Sequence, residues 1–251
     1  MLREKIVFGP IHSRRLGSSL GINILPERGK LCNFDCIYCE CGWNRDGRAD
    51  KRLPDVKMLE EALEARLLFC VAEGIAIDSI TFSGDGEPTL HPAFPGMVDV
   101  TLALRDRLAP GARVSVLSNA TRLDVPAVFQ ALRRVDCPIL KLDAPATAPA
   151  RVINRPQGDY EVARVVEGMR RFEGDFILQT MFLRAPGFDS LSPELLLPWM
   201  DIVRELHPRE VMAYTIARPT PQKGLAKCSA PEMAALLRPL IDEGFNIKIY
   251  E

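Results

Sequence analysis

Short apolar runs alternate along the chain with longer stretches whose apolar positions recur every three or four residues. The short runs suit strands buried on both faces, and the longer ones suit helices with one apolar stripe. The first strand is expected over 18–25, closed by Pro26. A helix is expected over 56–73, with Asp55 as its cap, Leu59, Leu63, Leu67 and Val71 as its stripe and Gly74 as its stop. The pattern repeats as strand 78–82 with helix 94–108, strand 113–117 with helix 125–134, and strand 138–142 with helix 160–172. In the last of these Asp159 is placed to cap and Gly174 to stop the helix. Strand 176–183 precedes a helix opened by Ser192 and Pro193. Strand 210–216 precedes helix 231–242, where Ser229 and Glu232 form a capping box. Strand 245–250 ends the series. Strictly alternating strands and helices predict an α/β fold with a parallel sheet.

Composition narrows the class. The chain has 251 residues, 47% hydrophobic and 26% charged, with a net charge of −1. That balance is ordinary for a globular protein and offers no global basic field for nucleic acid. The first residues lack the apolar core of a signal peptide, and no apolar run is long enough to span a membrane. Seven cysteines without an export signal point to a reducing compartment, the cytoplasm, where thiols stay available for metal.

Three of those cysteines, Cys32, Cys36 and Cys39, lie three and two residues apart just after the first strand. Thiolates are the usual ligands of iron–sulfur clusters, and three of them leave one iron of a four-iron cluster open for chemistry. Cys41 follows closely and would complete a tetrahedral zinc site or a closed structural iron–sulfur cluster, the non-enzymatic alternatives. Zinc sites usually divide their ligands between two separated pairs, which this crowded spacing does not. Cys70, Cys137 and Cys228 fall in helix and strand segments, where a thiol is usually a small buried hydrophobe.

In parallel α/β barrels the chemistry gathers where the strands end. The strand ends here are polar: Ser83 to Thr89, with Gly84-Asp85-Gly86-Glu87 at its centre, then Ser118-Asn119, then Lys141-Leu142-Asp143. Alternation sets Leu140 and Leu142 toward the helix layer and Lys141 and Asp143 toward the interior. Gln179 pairs with Met181 and Tyr214 with Met212 by the same parity, and Arg218 follows Tyr214. Lys141, Asp143 and Tyr214 are the catalytic candidates, with a structural Lys141–Asp143 ion pair as the alternative. Gln179, Arg218, Arg14 and Arg15 are the substrate candidates, because arginine forks fit phosphate and carboxylate.

The C-x3-C-x2-C loop with Tyr38 before its last cysteine, followed one strand and one helix later by Gly84-Asp85-Gly86-Glu87, resembles the radical S-adenosylmethionine (SAM) enzymes. Phe8-Gly9-Pro10, Ser13 to Gly17, Ser19 to Asn23, Asn154-Arg155-Pro156, Gln179 to Arg184 and Tyr214 to Pro219 extend the likeness across nearly the whole chain. Together they resemble the small bacterial and archaeal group related to the wyosine-forming tRNA enzymes. The resemblance implies a partial (β/α)6 TIM-like barrel, with the chain as a single domain over 1–251. It would comprise an N-terminal segment 1–31, a cluster loop 32–41 and a closing helix and strand 230–251. It implies a 4Fe-4S cluster on Cys32, Cys36 and Cys39, and SAM held by Tyr38, Gly84, Asp85, Gly86, Glu87, Ser118 and Asn119. The implied reaction is reductive cleavage of SAM to a 5′-deoxyadenosyl radical that takes hydrogen from a substrate. That substrate would be a small molecule, a protein or a tRNA, and the electron donor a flavodoxin or ferredoxin. A glycyl-radical-enzyme activase and a tRNA modifier are the alternatives within the family.

Overall fold

The computed structural model describes residues 5–26, 29–47 and 52–251, so the first four residues of the N-terminal segment, and 27–28 within it, lie outside the described residues. The chain divides into two compact units whose segments interleave. The first gathers Met1–Cys32, Asn44–Ser118 and Asp124–Pro138, the second Asn33–Trp43, Asn119–Leu123 and Ile139–Glu251.

In the first unit, β1 (Val7–Ser13) and β2 (Gly17–Ile22) form an antiparallel hairpin. Beside β2 run β3 (Ser79–Phe82) and β4 (Arg113–Ser118), parallel to it and to each other. The helices α1 (Val56–Ala72), α2 (Phe94–Leu108) and α3 (Pro126–Arg134) connect these strands. β1 departs from the expected series. Gly9 and Pro10 interrupt its alternation, and its register shifts between Phe8 and Ile11, so the strand has no clean period to read.

α1 opens as expected, with the Asp55 carboxylate accepting from the Met58 amide. Its buried stripe, however, is Leu59, Leu63, Leu67 and Cys70, while Val71 is exposed. Steps of four residues drift about 40° each around a helix of 3.6 residues per turn, so the third step leaves the core face and Cys70 takes its place.

β5 (Cys137–Lys141) begins in the first unit and ends in the second. In the second unit it continues a parallel series with β6 (Ile177–Met181), β9 (Glu210–Tyr214) and β11 (Ile247–Tyr250), in the spatial order β5-β6-β9-β11. A small antiparallel sheet of β7 (Leu183–Ala185), β8 (Phe188–Asp189) and β10 (Ala226–Lys227) lies in the same unit, in the order β10-β7-β8. Its helices are α4 (Thr147–Ile153), α5 (Val162–Arg170), α6 (Pro193–Leu206), α7 (Ala230–Leu236) and α8 (Arg238–Asp242).

Several expected caps are replaced. Asp159 does not cap α5; its carboxylate pairs with Arg164 at 2.9 Å, and the helix starts later, at Val162. Ser192 contributes its backbone carbonyl rather than its hydroxyl to the start of α6. Ser229 does cap α7 by accepting from the Glu232 amide, but the Glu232 carboxylate binds Arg184 instead of completing a capping box. The single helix expected over 231–242 is broken into α7 and α8, because Pro239 cannot donate an amide to a continuous helix.

Candidate active site

The first unit carries the glycine-rich loop that leaves β3. Asn23, just past the end of β2, organises it. Its Oδ1 accepts from the Asp85 amide at 3.1 Å and from the Leu25 amide at 3.2 Å, and it is 1% exposed. Close packing explains both glycines. A Cβ on Gly84 would stand 2.1 Å from Asn23 Oδ1, and one on Gly86, where φ is +141°, would stand 1.8 Å from the Leu31 carbonyl oxygen. Only glycine fits such approaches. Leu31 pairs with this loop in both directions: its amide donates to the Asp85 carbonyl at 3.0 Å, and its carbonyl accepts from the Glu87 amide at 2.9 Å. Cys32 is therefore anchored one residue from the loop, and its carbonyl accepts from Asn44 Nδ2 at 3.1 Å.

Glu87 is buried, and its Oε1 accepts from the Thr89 amide, the Thr89 hydroxyl and the Ser118 hydroxyl, at 3.1, 2.6 and 2.9 Å. Two expected SAM contacts, Glu87 and Ser118, thus hold each other at the ends of β3 and β4. Arg14 and Arg15 sit on the β1–β2 turn, where the Ser13 hydroxyl accepts from the Arg15 and Leu16 amides. That turn lies beside Asp78, which accepts from the Ser18 amide and leads into β3. It belongs to the end where the parallel strands begin, opposite the polar strand ends.

The second unit holds the rest of the cysteine loop. The Cys39 amide donates to the Cys36 carbonyl at 3.1 Å and the Gly42 amide to the Cys39 carbonyl at 3.0 Å, so the loop winds in successive turns. Residues on either side of Cys36 are gripped by the C-terminal end of α4: the Asp35 amide donates to the Asn154 carbonyl and the Ile37 amide to the Ile153 carbonyl, both at 2.9 Å. Asn33 is held by a triangle, with Asn119 Nδ2 on its Oδ1 and its own Nδ2 on the Thr121 hydroxyl, each at 2.7 Å. Asn119 thus steadies the start of the loop.

At the end of β5, Asp143 is buried and collects four donors. Oδ2 accepts from the Tyr38 hydroxyl and from Asn154 Nδ2 at 2.7 Å; Oδ1 accepts from the Met181 amide at 2.8 Å and faces Lys141 Nζ at 3.5 Å. Lys141 also bonds the Tyr214 hydroxyl and stands over the rings of Tyr38 and Tyr214, at 5.2 and 4.8 Å from their centroids. Burial would lower the Lys141 ammonium, but Asp143 and Tyr214 outweigh it and hold it above the usual lysine value. Burial, reinforced by Asp143, pushes the Tyr38 phenol well above its ordinary range. Burial first and then the Cys39 sulfur push the Cys36 thiol up to about 11.

Lys141, Asp143, Tyr214 and Tyr38, expected from separate strand ends and the cysteine loop, are thus in one network. Gln179 is buried on β6 in register with Lys141 and Met212, and its Nε2 has no hydrogen-bond partner. Arg218 is exposed and pairs with Glu40, next to Cys39, at 2.5 Å. Asn154, which carries the network to the Cys36 sulfur itself, is readable in the sequence only as part of Asn154-Arg155-Pro156, with no role attached.

All seven cysteines are thiols rather than disulfides; Cys70, Cys137 and Cys228 are buried, as expected for core residues. Among the described residues, no three His, Cys, Asp or Glu side chains are gathered as for a single metal ion. The donors of the loop, soft thiols on a backbone held in fixed turns, suit an iron–sulfur cluster.

A family model for the radical SAM superfamily matches residues 27–183. A UPF0026 protein of Methanocaldococcus jannaschii is 31% identical over 87% of this chain, which spans 65% of that relative's length. Streptococcus suis SuiB, in a structure bound to its precursor peptide SuiA, superposes with a TM-score of 0.66 at 16% identity, over 89% of this chain and 47% of that one. TYW1, in a structure with a lysine–pyruvate adduct bound, gives 0.65 at 15% identity, over 92% of this chain and 76% of that one. The likeness shows the fold, a partial α/β barrel. No helix among the described residues is long and apolar enough to cross a membrane.

Proposed function

The chain belongs to the radical SAM superfamily, and from that premise we propose that it is an enzyme that cleaves SAM reductively to start radical chemistry on a substrate. Cys32, Cys36 and Cys39 would hold a 4Fe-4S cluster. When bound, the reduced cluster would supply the electron that splits SAM into methionine and a 5′-deoxyadenosyl radical, which takes hydrogen from the substrate. The observation that carries this reading is the two-way pairing of Leu31 with the Gly84–Glu87 loop. It fixes the residue before Cys32 against the loop that, by family resemblance, serves the methionine end of SAM.

The chain's own residues divide the remaining work. The backbone at Asp85 and Glu87 is tied down by the Asn23 side chain and the Leu31 amide and carbonyl. Asp143, which is buried, and Lys141 and Tyr214, which are half-buried, form a polar mouth whose charges are compensated before any substrate enters. Such a preformed set positions a substrate without reorganising at the moment of reaction. Gln179, with its Nε2 buried and unpartnered, would donate to an oxygen of that substrate. Asp143 and Tyr214 favour the ammonium form of Lys141, which would hold a substrate oxygen by charge.

The test is anaerobic reconstitution with iron and sulfide, followed by electron paramagnetic resonance (EPR) of the reduced protein with and without SAM. A four-iron signal that changes on adding SAM is expected. A protein that binds zinc in its place, or whose signal SAM leaves unchanged, would overturn the reading.

A further inference from the structure

Asn154 is 2% exposed and follows α4 directly. Its backbone carbonyl already clamps the loop through the Asp35 amide, a contact that almost any residue could make. Its side chain does something more particular. Nδ2 stands 2.7 Å from Asp143 Oδ2, 3.0 Å from the Tyr38 hydroxyl and 3.5 Å from Cys36 Sγ. An amide nitrogen carries two protons. Asp143 takes one through the shortest contact, and the other is shared between the Tyr38 oxygen and the Cys36 sulfur.

We propose that Asn154 tunes the reduction potential of the cluster through the sulfur of Cys36. The inference rests on the reading that Cys36 is a cluster ligand. One electron enters from a low-potential one-electron donor, no bond is made or broken, and part of the added negative charge falls on the ligand sulfurs. A proton donated to one of those sulfurs stabilises the reduced form, and hydrogen bonds of this kind are among the determinants of cluster potentials. Burial acts the other way, because a low-dielectric site disfavours added charge, and Cys36 is 8% exposed. Asn154 offsets that burial at the one thiol of the loop that is shielded from water. It is a tuning and positioning residue, acting through Cys36.

The experiment is a potentiometric titration of the anaerobically reconstituted protein with dithionite, followed by EPR, with iron content measured on every sample. Asn154→Leu keeps the branched outline of the side chain and removes the donor. At a fixed donor potential its ratio of reduced to oxidised cluster should fall roughly tenfold, which is ~59 mV for a one-electron couple. Tyr38→Phe removes the acceptor that competes for the second proton, so its potential should move up, the opposite direction. A structural role alone would not produce opposite shifts. Full iron content with an unchanged potential in Asn154→Leu would overturn the inference. If Asn154→Leu does not retain iron, Tyr38→Phe decides: a rise supports the tuning, and no change or a fall overturns it. A wild-type protein that takes up no iron would instead overturn the cluster reading and this inference with it, so the two failures are distinguishable.

Discussion

The loop after β3 and the network after β5 both sit at strand ends, yet they are built in opposite ways. The first is a backbone construction: Gly84 and Gly86 leave room for Asn23 and the Leu31 carbonyl, and most contacts run through amides and carbonyls. The second is a side-chain construction, in which one carboxylate, one ammonium, two phenols and an amide satisfy one another around Asp143. A backbone construction tolerates no added atom, whereas the side-chain network depends most on the carboxylate that its donors converge on. The same sequence signal, a polar cluster where a strand ends, therefore marks two different physical constraints.

The largest effect should come from adding a single methyl group to the first region. Gly86→Ala places Cβ inside the Leu31 carbonyl at a φ that favours glycine, and should cost about 3 kcal/mol or more in urea unfolding. Gly111→Ala, which meets nothing within 4 Å, is the control and should be close to neutral. A mild effect of Gly86→Ala would show that close backbone approach does not hold this loop.

In the second region, the charge that satisfies the most partners, Asp143, should matter most. Asp143→Asn leaves the Lys141 ammonium without its counter-charge and should cost about 3 kcal/mol. Lys141→Met should cost less, about 1 kcal/mol, because Asp143 keeps Tyr38, Asn154 and the Met181 amide as donors. Thermal or urea unfolding of the two proteins checks the order, and the reverse order would show that Lys141, not Asp143, anchors the network.

Smaller still is the expected effect of Cys41→Ser, which should leave iron content unchanged, while Ala at Cys32, Cys36 or Cys39 should lower it sharply. Iron and sulfide analysis after reconstitution decides between them, and loss of iron in Cys41→Ser would favour a four-cysteine site. Smallest is Arg218→Ala: its pair with Glu40 is exposed at both ends, so stability should change by less than about 0.5 kcal/mol in the same unfolding assay.

Legibility followed the same division. α1, α2, β3 and β4 lie within a residue or two of their expected bounds, because their apolar periods are uninterrupted. β1 was hidden by Gly9 and Pro10, and α4, at seven residues, is too short to show a period. The glycines of the loop were visible, but not that they make room for Asn23 and Leu31, since no local pattern reports a neighbour 62 residues away. Parity did set Lys141 and Asp143 apart from Leu140 and Leu142. Asn154 stayed silent because its role depends on Cys36, 118 residues earlier, and a lone asparagine after a short helix carries no signal of that contact.

The most direct test of the central claim is the product of SAM in the reduced, reconstituted protein. Reductive cleavage of SAM by a cluster on these three cysteines predicts 5′-deoxyadenosine and methionine from the wild type under dithionite without oxygen, and neither from Cys36→Ala treated in the same way. Equal amounts from both proteins, or none from a wild type that holds its full complement of iron, would contradict it.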